Sequence, residues 1–280
     1  MCRRARWILW DWAPAFAGEQ WERTLSDILY TRDGDVAVIR LNRPDELNAL
    51  TMAMLDLLAA TLQRAVDEGA RAVLLTGEGR AFCSGASLKD MSPGGGDPGD
   101  RLRNHYNPVQ QAMADLPIPI VTAIKGPAAG AGVALALGGD IVIAANNAYL
   151  LLAFANIGLV PDAGATWLVA KAAGRAKVLE MALLGERLAA QDAHEAGLVT
   201  RVVDESALMD TAMTYAHRLA AMPTLALGLI RKQVKAALSG TLEETLALEA
   251  AHQSLAGRSE DFHEGVAAFL QKRKPEFKGR

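Results

Sequence analysis

Two stretches of this chain, LLTGEGRAFCSGASL and VTAIKGPAAGAGVAL, each run from a strand-like apolar segment into a turn rich in small residues. Side chains that small let backbone come close to something, and they leave amide N–H groups uncovered. If Gly130 to Gly132 opens a helix, its unpaired N–H groups and positive dipole end favour an oxygen carrying negative charge. That oxygen is either a phosphate or a developing oxyanion. A dinucleotide fingerprint needs a third glycine where Leu135 stands, and the lysine and Ser/Thr pair of a phosphate-binding loop is missing, so nucleotide readings weaken. The plain alternative is that these glycines serve only close backbone packing.

Around these junctions the chain alternates strands and helices. LSDILYT and VAVIRLN flank Arg32-Asp33-Gly34-Asp35, a β-hairpin pattern. Thr51 is placed to cap a helix whose Met54, Leu55, Leu58, Leu62 and Val66 recur at helical spacing, ending at Gly69. A buried strand RAVLLTG follows, then a glycine-rich loop from Ser92 to Asp100, a helix about Tyr106 to Leu116, and the strand PIPIVTAIKG. A helix about Ala129 to Leu137, strands IVIAA and AYLLLA, and the loop GLVPDAG before another helix continue the pattern to LVTRVV. From Glu205 onward only helical periodicity remains. The expected division is an αβ core over 25–204 and a helical region over 205–280.

Residues 1–24 stand apart: four of the five tryptophans, Trp7, Trp10, Trp12 and Trp21, fall there. Asp11 and Pro14 interrupt the apolar run too early for a secretory signal, and the stretch is expected to lie outside the fold. The remaining composition excludes whole classes of function. At 51% hydrophobic the chain can bury a large core, and a net charge of -3 offers no basic field for a nucleic-acid backbone. The longest apolar segment, Ala128 to Ala145, contains Asp140 and four glycines, which is wrong for a membrane span. Two cysteines, Cys2 and Cys83, suit a reducing, cytoplasmic setting and cannot build a cysteine metal site.

Among polar residues, Asp162 in GLVPDAGATW is a lone carboxylate in an apolar loop, readable as a general base or as the N-cap of a helix beginning near Gly164. Asp140 reads as a turn or ion-pair residue. The five histidines lie on separate segments and form no ligand set, and Phe82 stands where a nucleophile elbow around Ser84 would need glycine. The terminal KRKPEFKGR is readable as a phosphate-binding segment, with a solvated basic tail as the default.

From about residue 25 to 280 the chain resembles the crotonase, or enoyl-CoA hydratase/isomerase, superfamily. LNRPDELNALT, LLTGEGRAFCSGASL, AIKGPAAGAGVALALGGDIVIAA, IGLVPDAGATWLV, LLGERLAAQDAHEAGLVTRVVD and AGRSEDFHEGVAAFLQKRKPEF carry the resemblance. Within it, the GPAAGAGVALALGGDIVIAA, PDxGxTW and LAGRS stretches most resemble ring-epoxide isomerases acting on phenylacetate-derived CoA thioesters.

The resemblance implies an α/β spiral of ββα units with a C-terminal helical trimerisation region, a homotrimer or hexamer. It implies an acyl-CoA thioester as substrate, with coenzyme A belonging to that substrate and no metal or redox cofactor. It implies an oxyanion hole made by the backbone N–H groups of Ala86 and Ala131, where each donor is typically worth about 3–4 kcal/mol. Contacts to the CoA moiety are implied at Leu88 and Lys89, and at Lys272 supplied by a neighbouring subunit.

Two departures bear on the chemistry. The two glutamates used by hydratases of the family fall on Ala134 and Phe154, neither of which moves a proton, whereas Asp162 matches the position of the isomerases' acid/base carboxylate. Phe154, Ile157, Leu159 and Val160 are expected to keep water from that carboxylate. Ser87 stands where many members have aspartate. The reading that follows is a CoA-thioester isomerase working through Asp162; the alternatives are a hydratase with an unusual base and a non-catalytic acyl-CoA-binding protein.

Overall fold

The computed structural model describes residues 27–87 and 96–280; the N-terminal stretch 1–24 and the two expected CoA contacts Leu88 and Lys89 lie outside the described residues. Gly34, at φ 57°, turns the chain between strands β1 (Ile28–Asp33) and β2 (Val36–Leu41), which pair antiparallel with Asp33 opposite Val36. The expected hairpin is present. Strands β3 (Ala72–Gly77), β4 (Ile120–Ile124), β6 (Ile141–Ala145) and β9 (Arg201–Val203) extend it in parallel, giving the order β1-β2-β3-β4-β6-β9. A small second sheet holds β5 (Pro127–Ala129), β7 (Tyr149–Leu151) and β8 (Arg187–Ala189) in the order β5-β7-β8.

Twice along the chain a strand of the large sheet and then a strand of the small sheet precede a helix. β4 and β5 lead into Ala131–Leu137, and β6 and β7 lead into Ala165–Leu184, so each of these turns of the spiral is a strand, a strand and a helix. Parallel neighbours require such crossovers. Helix α1 (Met52–Asp67) is capped by Thr51, whose Oγ1 accepts the Met54 amide at 3.1 Å, and buries Met54, Leu55, Leu58 and Leu62. The Gly69 turn beyond it is left-handed, at φ 74°.

Two apolar layers cover the large sheet. On one side Ile39, Leu41, Leu75 and Ile124 join α1 and the glycine-turn segments in a single core. On the other, Val36, Val38, Leu74, Val121 and Ile143 meet Leu208, Ala212, Ala216 and Ala220 of the helix Leu208–Ala220. Each fully buried leucine or isoleucine in these layers contributes roughly 1.5–3 kcal/mol. The first helix after residue 205 is therefore part of the sheet's packing.

Asp140 anchors the next helix, Thr224–Ala237, at the opposite end of the strands from the glycine turns. Its Oδ2 accepts the Ile120 amide at 2.7 Å and the Arg231 Nε at 2.7 Å, while Arg231 also donates to Met113 O at 2.8 Å. The ion-pair reading of Asp140 stands. The glycine-rich stretch differs from expectation at its end: Pro98–Arg101 is already helical, because Asp97 caps it through the Gly99 amide and Pro98 occupies the first turn. The helix Asn107–Asp115 continues from it through a π-helical segment, Leu102–Tyr106.

Candidate active site

The two glycine-bearing turns meet. Cys83 and Ala128 form a parallel bridge, with Cys83 N donating to Pro127 O at 3.0 Å and Ala129 N to Cys83 O at 2.9 Å. A Cβ on Gly85 would stand 2.8 Å from Ala129 O and one on Gly132 2.5 Å from Cys83 O, so no side chain fits at either. Gly85 adopts φ 96° and Gly130 φ 53° with ψ -128°, conformations that L-residues avoid. Close packing is thus real, and it places Ala86 and Ala131, each one residue further on, beside one another.

Among the described residues the amides of those two alanines have no acceptor. Leu50 N donates to Gly85 O at 2.8 Å and Ser87 N to Leu50 O at 2.9 Å, yet the Ala86 N–H between them reaches no described acceptor. Ala131 is the first residue of the helix Ala131–Leu137, which begins two residues later than the spacing predicted because Pro127–Ala129 is strand. Its N–H is one of the helix's orphan donors. Two neighbouring donors without partners among the described residues suit an oxygen that gains negative charge.

Asp162 lies on the loop between the 3-10 turn Ala153–Ile157 and the helix Ala165–Leu184, and that helix packs on Ala131–Leu137. It does not cap. The N-cap is Gly164, with no side-chain bond, and the turn is closed by Ala165 N donating to the Asp162 carbonyl at 2.9 Å. Left-handed backbone at Ala163 (φ 50°) and Gly164 (φ 82°) turns the carboxylate away from the helix start. Asp162 Oδ1 is buried without a hydrogen-bond partner among the described residues. Burial pushes its pKa up to about 6, against a smaller lowering by its own amide.

Of the four apolar residues expected to shelter that carboxylate, only Phe154 is buried. Ile157 and Val160 are 63% and 77% exposed and Leu159 is at the surface, because the loop turns them outward in the single chain. The Phe154 ring instead borders the amide pair: its Cζ would lie 3.7 Å from a Cβ on Gly130. Ala134 is wholly buried in the adjoining helix, so neither position that could have held a glutamate carries a proton-transfer group.

Lys272 stands exposed, with left-handed backbone (φ 56°), beyond the last helix, Glu260–Leu270; its ammonium has no partner among the described residues. The histidines disperse, as in His105 on Asp56 Oδ1 at 2.7 Å and His194 on Val199 O at 2.8 Å. Ser84 donates to Glu46 O at 3.3 Å, and burial pushes the Cys83 thiol up to about 12, which leaves it unreactive. The segment Glu46–Leu50, to which sequence alone assigns no site role, pairs with the turn that carries Ala86. The available signal was Asn48, a polar residue set among Leu47, Ala49 and Leu50.

Residues 31–280 match the family model described as enoyl-CoA hydratase/isomerase. The chain belongs to the enoyl-CoA hydratase/isomerase family. It is 47% identical over 250 residues to the 1,2-epoxyphenylacetyl-CoA isomerase of Escherichia coli K12, covering 88% of this chain and 95% of that protein. It is 34% identical over 257 residues to the 2,3-dehydroadipyl-CoA hydratase of the same organism, covering 91% and 100%. Among solved structures, an enoyl-CoA hydratase from Bacillus anthracis superposes with a TM-score of 0.85 at 31% identity, covering 91% of this chain and 100% of that one. The strand-strand-helix spiral is therefore the crotonase fold, as the motifs implied. Family membership makes an acyl-CoA thioester the expected substrate, and both hydratases and isomerases stand among the relatives.

Proposed function

We propose that the protein isomerises a CoA thioester, shifting a double bond or opening a ring epoxide, with Asp162 as the sole acid/base group. The observation that carries this reading is the buried Asp162 Oδ1, which has no hydrogen-bond partner among the described residues, together with Ala134 and Phe154 at the two hydratase positions. The thioester oxygen sits between the Ala86 and Ala131 amides. Asp162 takes a proton from carbon, the electrons move onto the thioester oxygen as an enolate, and the two N–H groups hold the charge that develops there. In a double-bond shift the same carboxylic acid then returns the proton to another carbon; in a ring-epoxide opening the enolate electrons expel the epoxide oxygen as its C–O bond breaks, and the carboxylic acid gives its proton to that oxygen, so in either case no atom is gained or lost. Similarity to a 1,2-epoxyphenylacetyl-CoA isomerase supports an aromatic acyl group, with phenylacetate breakdown as the setting.

Backbone at Leu88 and the side chains of Lys89 and Phe154 complete the substrate contacts in this reading, with Lys272 contributed by a second copy. Rows of exposed apolar residues on the last helices, including Leu242 at 74% and Phe269 at 82%, support assembly as a homotrimer or hexamer. Incubation with 2-enoyl-, 3-enoyl- and ring-epoxide CoA esters tests the function. The expected product has unchanged mass and altered absorbance; a gain of one water identifies a hydratase, and no conversion of any ester contradicts catalysis.

The pH dependence has a definite sign. Proton abstraction needs the ionised carboxylate, and the burial that lifts Asp162 to about 6 makes it a stronger base than an ordinary aspartate at the same degree of ionisation. The kcat/KM value is expected to rise with pH through about 6 and level off above 7. A profile flat from pH 5 to 8 contradicts the assignment.

A further inference from the structure

We propose that Asn48 is the positioning residue of the oxyanion-binding amides, an inference that rests on the reading of Ala86 and Ala131 given above. Asn48 is wholly buried, and both it and Leu47 hold left-handed backbone, at φ 55° and 54°. Such strain in non-glycine residues persists only where the surroundings impose it. Here backbone bonds from Leu47 N to Pro44 O at 3.1 Å and from Asn48 N to Arg43 O at 2.8 Å close the turn, and the Asn48 side chain ties it to its surroundings. The Asn48 Nδ2 donates to Glu78 O at 2.9 Å, Ala81 O at 2.9 Å and Phe82 O at 3.1 Å, while its Oδ1 accepts the Arg43 amide at 2.8 Å.

An amide nitrogen has two hydrogens, so one N–H holds Glu78 and the other is shared by the adjacent carbonyls of Ala81 and Phe82. This fastens the connection from β3 at both its beginning and its end. Gly77 makes room for it: a Cβ there would lie 2.7 Å from Asn48 Nδ2 and 2.4 Å from Phe82 O. The next residue, Cys83, bonds through both its N–H and its carbonyl to the strand that delivers Ala131. Ser84 N then donates to Leu47 O at 2.9 Å, directly before Gly85 and Ala86. One buried amide therefore fixes the turn that carries the first donor and its register against the segment that carries the second. None of the Asn48 bonds reaches the site itself.

Asn48→Asp keeps the shape and removes the donor, setting a carboxylate oxygen against three carbonyl oxygens. The test measures kcat and KM, together with the infrared stretch of phenylacetyl-CoA labelled with carbon-13 at the thioester carbonyl, bound to the folded fraction. In the unsubstituted protein binding is expected to lower the stretch; in Asn48→Asp at least half of that displacement disappears and kcat falls at least ten-fold, with KM within two-fold. Asp162→Asn should keep the full displacement while losing turnover. If Asn48→Asp does not accumulate as folded protein, Asn48→Ser, which retains a single shorter donor, is expected to move both readouts in the same direction by a smaller factor. A purely structural role would lower Tm and yield but leave the carbonyl displacement of the folded fraction intact. Full displacement with kcat within two-fold in the folded variant overturns the proposal. Neither displacement nor turnover in the unsubstituted protein overturns the functional reading on which it rests.

Discussion

Asp162→Asn is expected to lower kcat about 10²–10⁴-fold, the range that one positioned acid/base group supplies. Its KM for the CoA ester should change little, because the substitution preserves shape and leaves the Ala86 and Ala131 amides in place. Stability moves the other way. A carboxylate whose folded pKa is raised holds its proton more tightly in the native state than in the unfolded chain. Its contribution is full below the ordinary carboxylate pKa, near 4, and is lost as pH rises through about 6. The rise is worth up to about 3 kcal/mol, and partial exposure reduces it to roughly 1–2 kcal/mol. At pH 7.5 the asparagine variant should melt at or above the temperature of the unsubstituted protein. Thermal denaturation and steady-state kinetics on one preparation check both directions. A variant that is less stable and equally active would contradict the role given to this carboxylate.

The second large effect is expected at Ala131, where the reacting group is backbone and an ordinary side-chain substitution cannot remove it. Proline is tolerated at the first position of a helix, since the N–H it lacks has no intrahelical partner there. Ala131 holds that position in Ala131–Leu137 and follows Gly130, whose freedom of backbone accommodates a proline neighbour. Ala131→Pro should therefore delete one oxyanion donor and little else. The expected loss is about 10²–10³-fold in kcat, or roughly 3–4 kcal/mol. Far-UV circular dichroism and Tm should show the fold retained. A folded proline variant with undiminished kcat would remove Ala131 from the reaction.

What the sequence disclosed was mostly local. The Asp33-Gly34 hairpin and the Thr51 cap depend on residues within a few positions of each other, and both formed as read. The two glycine turns were legible as places of close approach, although their contact with each other is a tertiary fact: Gly85 packs on Ala129 and Gly130 across more than forty residues. The capping reading of Asp162 failed because left-handed backbone at Ala163 and Gly164 separates its side chain from the helix start, and nothing in PDAGAT announces that turn. Ile157 and Val160 misled for another reason. Apolar residues near a carboxylate suggest shelter, but here they face outward, and only contact with another molecule would bury them. Asn48 stayed invisible because three of its four partners lie thirty or more residues away and are carbonyls, which carry no sequence identity.

Solvent-deuterium exchange at the carbon next to the thioester carbonyl most directly tests the claim that one carboxylate and two amides carry the chemistry. It follows proton removal itself by NMR, whichever ester is finally converted. The unsubstituted protein in heavy water should introduce deuterium at that carbon without adding water to the acyl group. Asp162→Asn should show no exchange above the rate without protein. Exchange by Asp162→Asn at the unsubstituted rate, or a product carrying an added water, would contradict the account.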